Sequence, residues 1–182
     1  MKALFIPLAC AVILSSCHVS VKKTIGDADT SITKTYTVPD DSAIIKAVQD
    51  AYMAISFKEG EQPRYSEIPN YFIPEVQFIN FRTDTAQIFN MKQFEDLFKS
   101  FLQQTKTHMF YEEEAFGRTE QFGKVAQRIS TYVTYLNTRD KPAERGVNSF
   151  QLIKTPKGWK VSSIIWDVEK PTLKVPDYYL KK

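Results

Sequence analysis

At His108 the spacing of apolar residues changes period, and that change constrains the fold more than any other feature of the chain. Before it, Ile44, Val48, Ala51, Tyr52 and Ile55 recur at helical spacing and make one apolar stripe. Pro39-Asp40-Asp41-Ser42 is an acidic start signal ahead of them, which predicts a helix over 42–57 that stops before Gly60. Pro63 opens a short helical turn ending near Tyr71-Phe72, and Pro74 then starts a strand, Val76 to Phe81. A further helix begins after Asn90, where Gln93 completes a capping box and Phe89 with Phe94 forms a hydrophobic staple. Phe94, Leu97, Phe98 and Phe101 are its buried stripe, and Glu95 with Lys99 is an i,i+4 ion pair on its wet side.

Beyond His108 the pattern reads as four extended segments, about 109–119, 122–136, 146–155 and 158–168. Thr155-Pro156-Lys157-Gly158 is a turn, so the last two segments form a hairpin. A closing apolar stretch, Tyr178-Tyr179-Leu180, follows Pro171 and Pro176. Helices first and antiparallel strands after give an α+β domain with helices on one face of a sheet. Ile164-Ile165-Trp166 is apolar on both sides of the pleat. One face meets the helices, and a second copy of the chain is the simplest cover for the other, which predicts a homodimer.

The first residues read as an address. Met1-Lys2 is positive, and Ala3 to Leu14 is apolar but for Pro7, too short for the ~20 residues of a membrane span. It has the proportions of a secretory signal and ends in Leu14-Ser15-Ser16-Cys17, which resembles the bacterial lipoprotein lipobox. The expectation is a signal peptide over 1–16, diacylglyceryl and palmitate-type acylation at Cys17, a flexible tether over 17–38 and a folded domain over 39–182. His18 rather than Asp follows the cysteine, which points to the outer membrane of the cell envelope. Cys10 leaves with the signal and Cys17 is consumed, so no thiol chemistry or disulfide is expected in the mature chain.

Element order and wording of the second half resemble the nuclear transport factor 2-like superfamily, which includes polyketide cyclases and ketosteroid isomerases. The resemblance is carried by Phe122-Gly123-Lys124-Val125-Ala126-Gln127, Arg145-Gly146-Val147-Asn148-Ser149-Phe150-Gln151-Leu152 and Gly158-Trp159-Lys160-Val161-Ser162-Ser163-Ile164-Ile165-Trp166. It implies a cone-shaped, cystatin-like fold: a curled antiparallel sheet around about three N-terminal helices, hollow inside. The subgroup it resembles is a set of bacterial proteins of undefined activity, and this fold hosts both enzymes and binders.

Composition removes several functions. The chain has a formal charge of +3 and its longest basic runs are Lys22-Lys23 and Lys181-Lys182, so no nucleic-acid partner is expected. Six scattered glycines build no phosphate loop. His18 and His108 are the two histidines, so neither a zinc site nor a serine triad is expected, and no cofactor is. Glu112-Glu113-Glu114 reads as a solvated strand, with Glu112 and Glu114 on one face and Glu113 on the other. Ketosteroid isomerase-like relatives imply a cavity carboxylate and a tyrosine on the first helix. Tyr52 suits the tyrosine, but no Asp or Glu lies between Glu75 and Asp84, where the base belongs. No catalytic residue is therefore assigned.

Tyr52, Phe116, Tyr132, Asn148 and Trp166 combine rings with a few polar tips and are the expected pocket lining. Whether Tyr132 or Thr131 faces inward is open. Arg118 and Arg145 are candidate polar or anion contacts, with Glu114 or Asp167 as structural partners. The leading expectation is a lipid-anchored envelope protein that binds a small hydrophobic molecule or a protein partner without catalysis. The alternatives are a polyketide cyclase or isomerase-type enzyme on a small hydrophobic substrate, and an assembly module that docks through its sheet.

Overall fold

The computed structural model describes residues 36–180. The signal segment, Cys17 and most of the tether lie outside the described residues. Among those described, no helix is long and apolar enough to cross a membrane.

Helix α1 spans Asp41–Ile55, and its predicted stripe is buried at Ile44, Val48, Ala51 and Tyr52. Asp40 does not cap it with its side chain. Its carboxylate instead accepts from Lys154 Nζ at 2.8 Å and Gln121 Nε2 at 2.9 Å, tying the helix start to the sheet. Of the three expected helices, the middle one is a single 3-10 turn, Ile68–Asn70, with Pro69 inside it. Strand β1 follows at Phe72–Asn80, and a three-residue strand β2, Gln87–Phe89, was not foreseen. Helix α2, Met91–Gln104, has the complete Asn90/Gln93 capping box, and Lys99 sits 3.7 Å from Glu95.

The second half is all strand: β3 Phe110–Phe122, β4 Val125–Leu136, β5 Glu144–Thr155 and β6 Gly158–Val168. Gly123 (φ +57) sits at the β3–β4 turn and Gly158 (φ +98) at the β5–β6 turn, in the left-handed region that glycine enters without steric penalty. The six strands form one sheet in the order β2-β1-β6-β5-β4-β3. All pairs are antiparallel except β1 with β6, which run parallel, so the sheet is mixed. A parallel neighbour requires a crossover, and α2 with β3–β5 forms it.

Two apolar clusters form on the concave face. The larger joins α1 to β1, β4, β5 and β6 around Ile44, Val48, Phe78, Phe150 and Val161. The smaller joins Phe98 and Leu102 of α2 to Phe57 and Phe110. On the convex face the chain supplies part of its own cover. Thr131 is fully buried and donates to the Tyr179 carbonyl at 2.6 Å, and Arg118 reaches the Tyr178 hydroxyl. The chain's own tail thus covers part of the convex face, where Ile165 remains 37% exposed. At the other terminus, Tyr36 donates to the Gln121 carbonyl at 2.5 Å and Val38 packs on the core, so the compact unit starts a little before residue 39.

The capping box predicts a measurable loss. Asn90→Ala leaves the Gln93 amide without its acceptor and lowers stability by about 1 kcal/mol in urea denaturation, without changing the far-UV circular dichroism of the folded state.

Candidate functional site

The space between the two apolar clusters is a cavity of about 380 Å³. Its apolar wall is largely aromatic. Phe78 stacks on Phe94 with centroids 4.2 Å apart, Phe94 on Phe98 at 6.1 Å, and Phe98 meets the edge of Phe110 at 5.0 Å. Leu97 and Phe101, expected in a sealed core, border the hollow instead, and Leu97 is 46% exposed. Exposed Gln87 and Ala143 stand at the same rim.

The polar wall comes from the inner face of β3, β4 and β5. Parity follows from pairing: Ala126, Arg128, Ser130, Tyr132 and Thr134 alternate inward along β4, and Asn148 and Phe150 along β5. Tyr52 and Ser130 share a hydrogen bond between their hydroxyls at 2.8 Å, and Asn148 Nδ2 donates to the Tyr52 oxygen, also at 2.8 Å. Burial raises the Tyr52 phenol well above its usual range, with the Glu112 charge adding to the shift. Higher in the cone, Tyr132 donates to Glu144 Oε1 at 2.9 Å. Arg82 clamps Glu144 through both carboxylate oxygens, at 2.6 and 2.8 Å.

Glu112 lies between these groups. Thr134 Oγ1 donates to its Oε2 at 2.7 Å. The hydrogen bond from Thr134 is the one its carboxylate receives among the described residues, and the side chain borders the cavity. Desolvation inside the cone pushes its carboxyl from 4.5 up to about 7. The neighbouring Glu144 charge adds to the rise, while the Thr134 hydrogen bond and the Arg82 charge oppose it.

Four expected lining residues, Tyr52, Tyr132, Asn148 and Trp166, border the hollow, and Tyr132 rather than Thr131 faces inward. Phe116 does not. A register shift between Glu114 and Phe116 inserts an extra residue, so the inward series Phe110, Glu112, Glu114 resumes as Gly117, Thr119, Gln121. Phe116 and Arg118 are thereby turned to the convex face, where they line a shallow hollow of about 110 Å³ with Tyr178 and Tyr179. Arg118 has the Tyr178 ring beneath its guanidinium, 4.3 Å away, and not Glu114 or Asp167. Arg145 pairs with Glu169 at 3.0 Å, again with neither expected partner. Glu114 is taken by Arg128, which is 5% exposed and holds both carboxylate oxygens. A Cβ on Gly117 would strike both of those side chains, so a bare backbone is needed there.

The expected solvated strand at Glu112-Glu113-Glu114 is a correction. Glu113 does face out, to Arg139 at 3.1 Å, but Glu112 and Glu114 point into the cone. The missing cavity carboxylate thus sits on β3 and not on β1. Glu144 and Arg82 were also missed. The one signal in the sequence was the parity of β5, which puts Glu144 on the face of Asn148 and Phe150; Arg82 had none. Among the described residues no three potential metal ligands come together.

A curled sheet wrapped on two helices around a hollow defines the α+β cone class. The chain has the nuclear transport factor 2-like, cystatin-like fold. It is similar to a Nostoc punctiforme protein of unknown function with a cystatin-like fold, at 13% identity and a TM-score of 0.58 over 75% of this chain and 96% of that one. A Novosphingobium aromaticivorans nuclear transport factor 2-like protein matches at 8% identity and 0.55 over 73% and 84%. A Shewanella baltica nuclear transport factor 2-like protein of unknown function matches at 16% and 0.51 over 74% and 99%. No family model and no curated protein matches the chain.

The raised Glu112 carboxyl has a pH signature. Below about 4.5 both folded and unfolded chains hold the proton and the group costs nothing. Between 4.5 and about 7 the unfolded chain releases it first, so stability falls with rising pH and levels off above 7. The shift corresponds to at most about 3 kcal/mol. Glu112→Gln therefore gains on the wild type between pH 5.5 and 8 in urea denaturation, and a constant difference across that range contradicts the assignment.

Proposed function

We propose that the chain is a lipid-anchored bacterial envelope protein whose cone binds a small hydrophobic molecule without catalysing its conversion. The observation that carries the binding reading is the ring-lined cavity, whose volume lies within the range of ligand pockets and whose few polar groups gather on one wall. The Tyr52 hydroxyl accepts from Asn148 and shares its second hydrogen bond with Ser130, so its proton is turned to the cavity only where Ser130 is the donor.

The anchor reading rests on the residues from Met1 to Cys17. The fold is compatible with it in one respect. The domain begins at Tyr36 beside Gln121, and Gln121 and Glu112 lie at opposite ends of β3, roughly 30 Å apart along the strand. The cavity rim at Arg82, Glu144 and Ala143 is on the Glu112 side. The described domain thus begins at the end of β3 away from Glu112.

A second reading is favoured by one observation. Glu112 borders the cavity and titrates near neutrality, which suits a general base of an isomerase or cyclase type.

Both halves of the proposal have a direct test. Labelled palmitate enters the wild-type protein and is lost in Cys17→Ser; equal labelling of the two removes the anchor. The neutral probe N-phenyl-1-naphthylamine brightens on binding the purified protein. Leu97→Glu, which places a charge on the apolar rim, weakens that binding about tenfold or more. Unchanged affinity places the probe elsewhere and removes the cavity reading.

A further inference from the structure

The cone holds three charged groups near its polar wall: Glu112, Glu144 and Arg82. Arg82 spends both arms of its guanidinium on Glu144, and Tyr132 adds a third hydrogen bond to that carboxylate. Glu144 is therefore neutralised and satisfied, and no cation is left over for Glu112. Glu112 has only the neutral Thr134 hydroxyl on its Oε2, and it borders the same cavity as Phe98, Phe101 and Phe110. An ionised Glu112 leaves the wall one positive charge short.

Resting on the reading of the cone as a small-molecule site, we propose that its ligand is an organic cation: an aryl or alkyl amine whose apolar body fills the aromatic hollow and whose ammonium donates to the Glu112 carboxylate. The chemistry of each wall fits this class. An ammonium restores the missing charge and supplies the carboxylate with a second donor, a charge-assisted hydrogen bond in a partly desolvated site. Ring faces attract a cation where a carboxylate or phosphate ligand would be repelled. Acidic ligands meet Glu112 and Glu144 with no uncommitted arginine or lysine among the lining residues. Neutral carbonyl ligands require Glu112 to keep its proton, so they bind better at low pH, the opposite of an amine.

The groups facing Glu112 are few and come from every element packed around it. Glu114 precedes the bulge on the same face of β3, Tyr132 and Thr134 come from β4, and Glu144 from β5. Arg82 comes from the β1–β2 connection and Tyr52 from α1, while α2 lines the cavity only with Phe94, Leu97, Phe98 and Phe101. Of these, the burial and the Glu144 charge that raise the Glu112 carboxyl are the ones an ammonium offsets. Amine binding therefore draws Glu112 into its ionised form and releases a proton to solvent, and the affinity rises with pH up to about 7.

The test compares 4-phenylbutylamine with 4-phenylbutanol, which share one apolar body, by calorimetry on the purified protein at pH 5.5 and 8. The amine stays protonated throughout that range. At pH 8 it binds about tenfold or more tighter than the alcohol, and by pH 5.5 most of that advantage is gone. Glu112→Gln removes the advantage at pH 8 while still binding the alcohol, which shows that the cone is intact; the wild-type pH series carries the test alone where that variant fails to fold. Equal affinities of amine and alcohol at pH 8, or an amine advantage that persists in Glu112→Gln, overturn the organic-cation inference and leave the apolar pocket standing. Binding of neither probe overturns both.

Discussion

Six curled strands present more concave surface than two helices can cover. That mismatch of area decides the rest of the molecule. Helix α1 seats its stripe of Ile44, Val48, Ala51 and Tyr52 on one part of the sheet and makes a dense core there. Helix α2 reaches the sheet mainly along its edge, through Phe94 to Phe78 and through Phe98 to Phe110. Between the two contacts the α2 rings Phe94, Phe98 and Phe101 stand nearly parallel to one another and border the hollow. Atoms that border a void forgo dispersion contacts, so the hollow costs stability. The compensation lies at the closed end, where the buried Ile44, Val48, Ile68, Val76 and Val161 leave no room.

Much of the fold could be read from residues alone because its signals are local. The α1 stripe, the Asn90/Gln93 box, the Glu95–Lys99 pair and the Thr155–Gly158 turn each lie within a few residues of chain, and each is where the spacing put it. What escaped is non-local. The parallel pairing of β1 with β6 joins Gln77 to Ser163, and no pattern in either strand names its partner. β2 has three residues, too few for a period to be seen. Covering of the convex face by Tyr178 and Tyr179 likewise depends on where the tail returns, which composition does not encode.

The site was half legible for a related reason. Aromatic residues announce a lining, and four of five expected positions do border the cavity. Phe116 went astray through one inserted residue: the register shift after Glu114 exchanges the faces of everything that follows on β3. Acidic residues in a run look solvated, because a buried carboxylate is costly and needs a partner that the run itself does not reveal. Glu114 finds Arg128 from the neighbouring strand, and Glu112 finds only Thr134. The sequence shows neither the arginine that satisfies the first nor the lack of one beside the second. That asymmetry, a satisfied acid next to an unsatisfied one on the same face, is what turns a hollow into a candidate site.

The account stands on Glu112 being a carboxylate inside the cone with no cation of its own. The most direct measurement is the side-chain carboxyl chemical shift of Glu112 followed by nuclear magnetic resonance through a pH titration of the ligand-free protein, with Glu112→Gln used to assign the resonance. A midpoint near 7 is predicted. A midpoint at or below the ordinary value of 4.5 means the group is solvated or already paired, and contradicts the account.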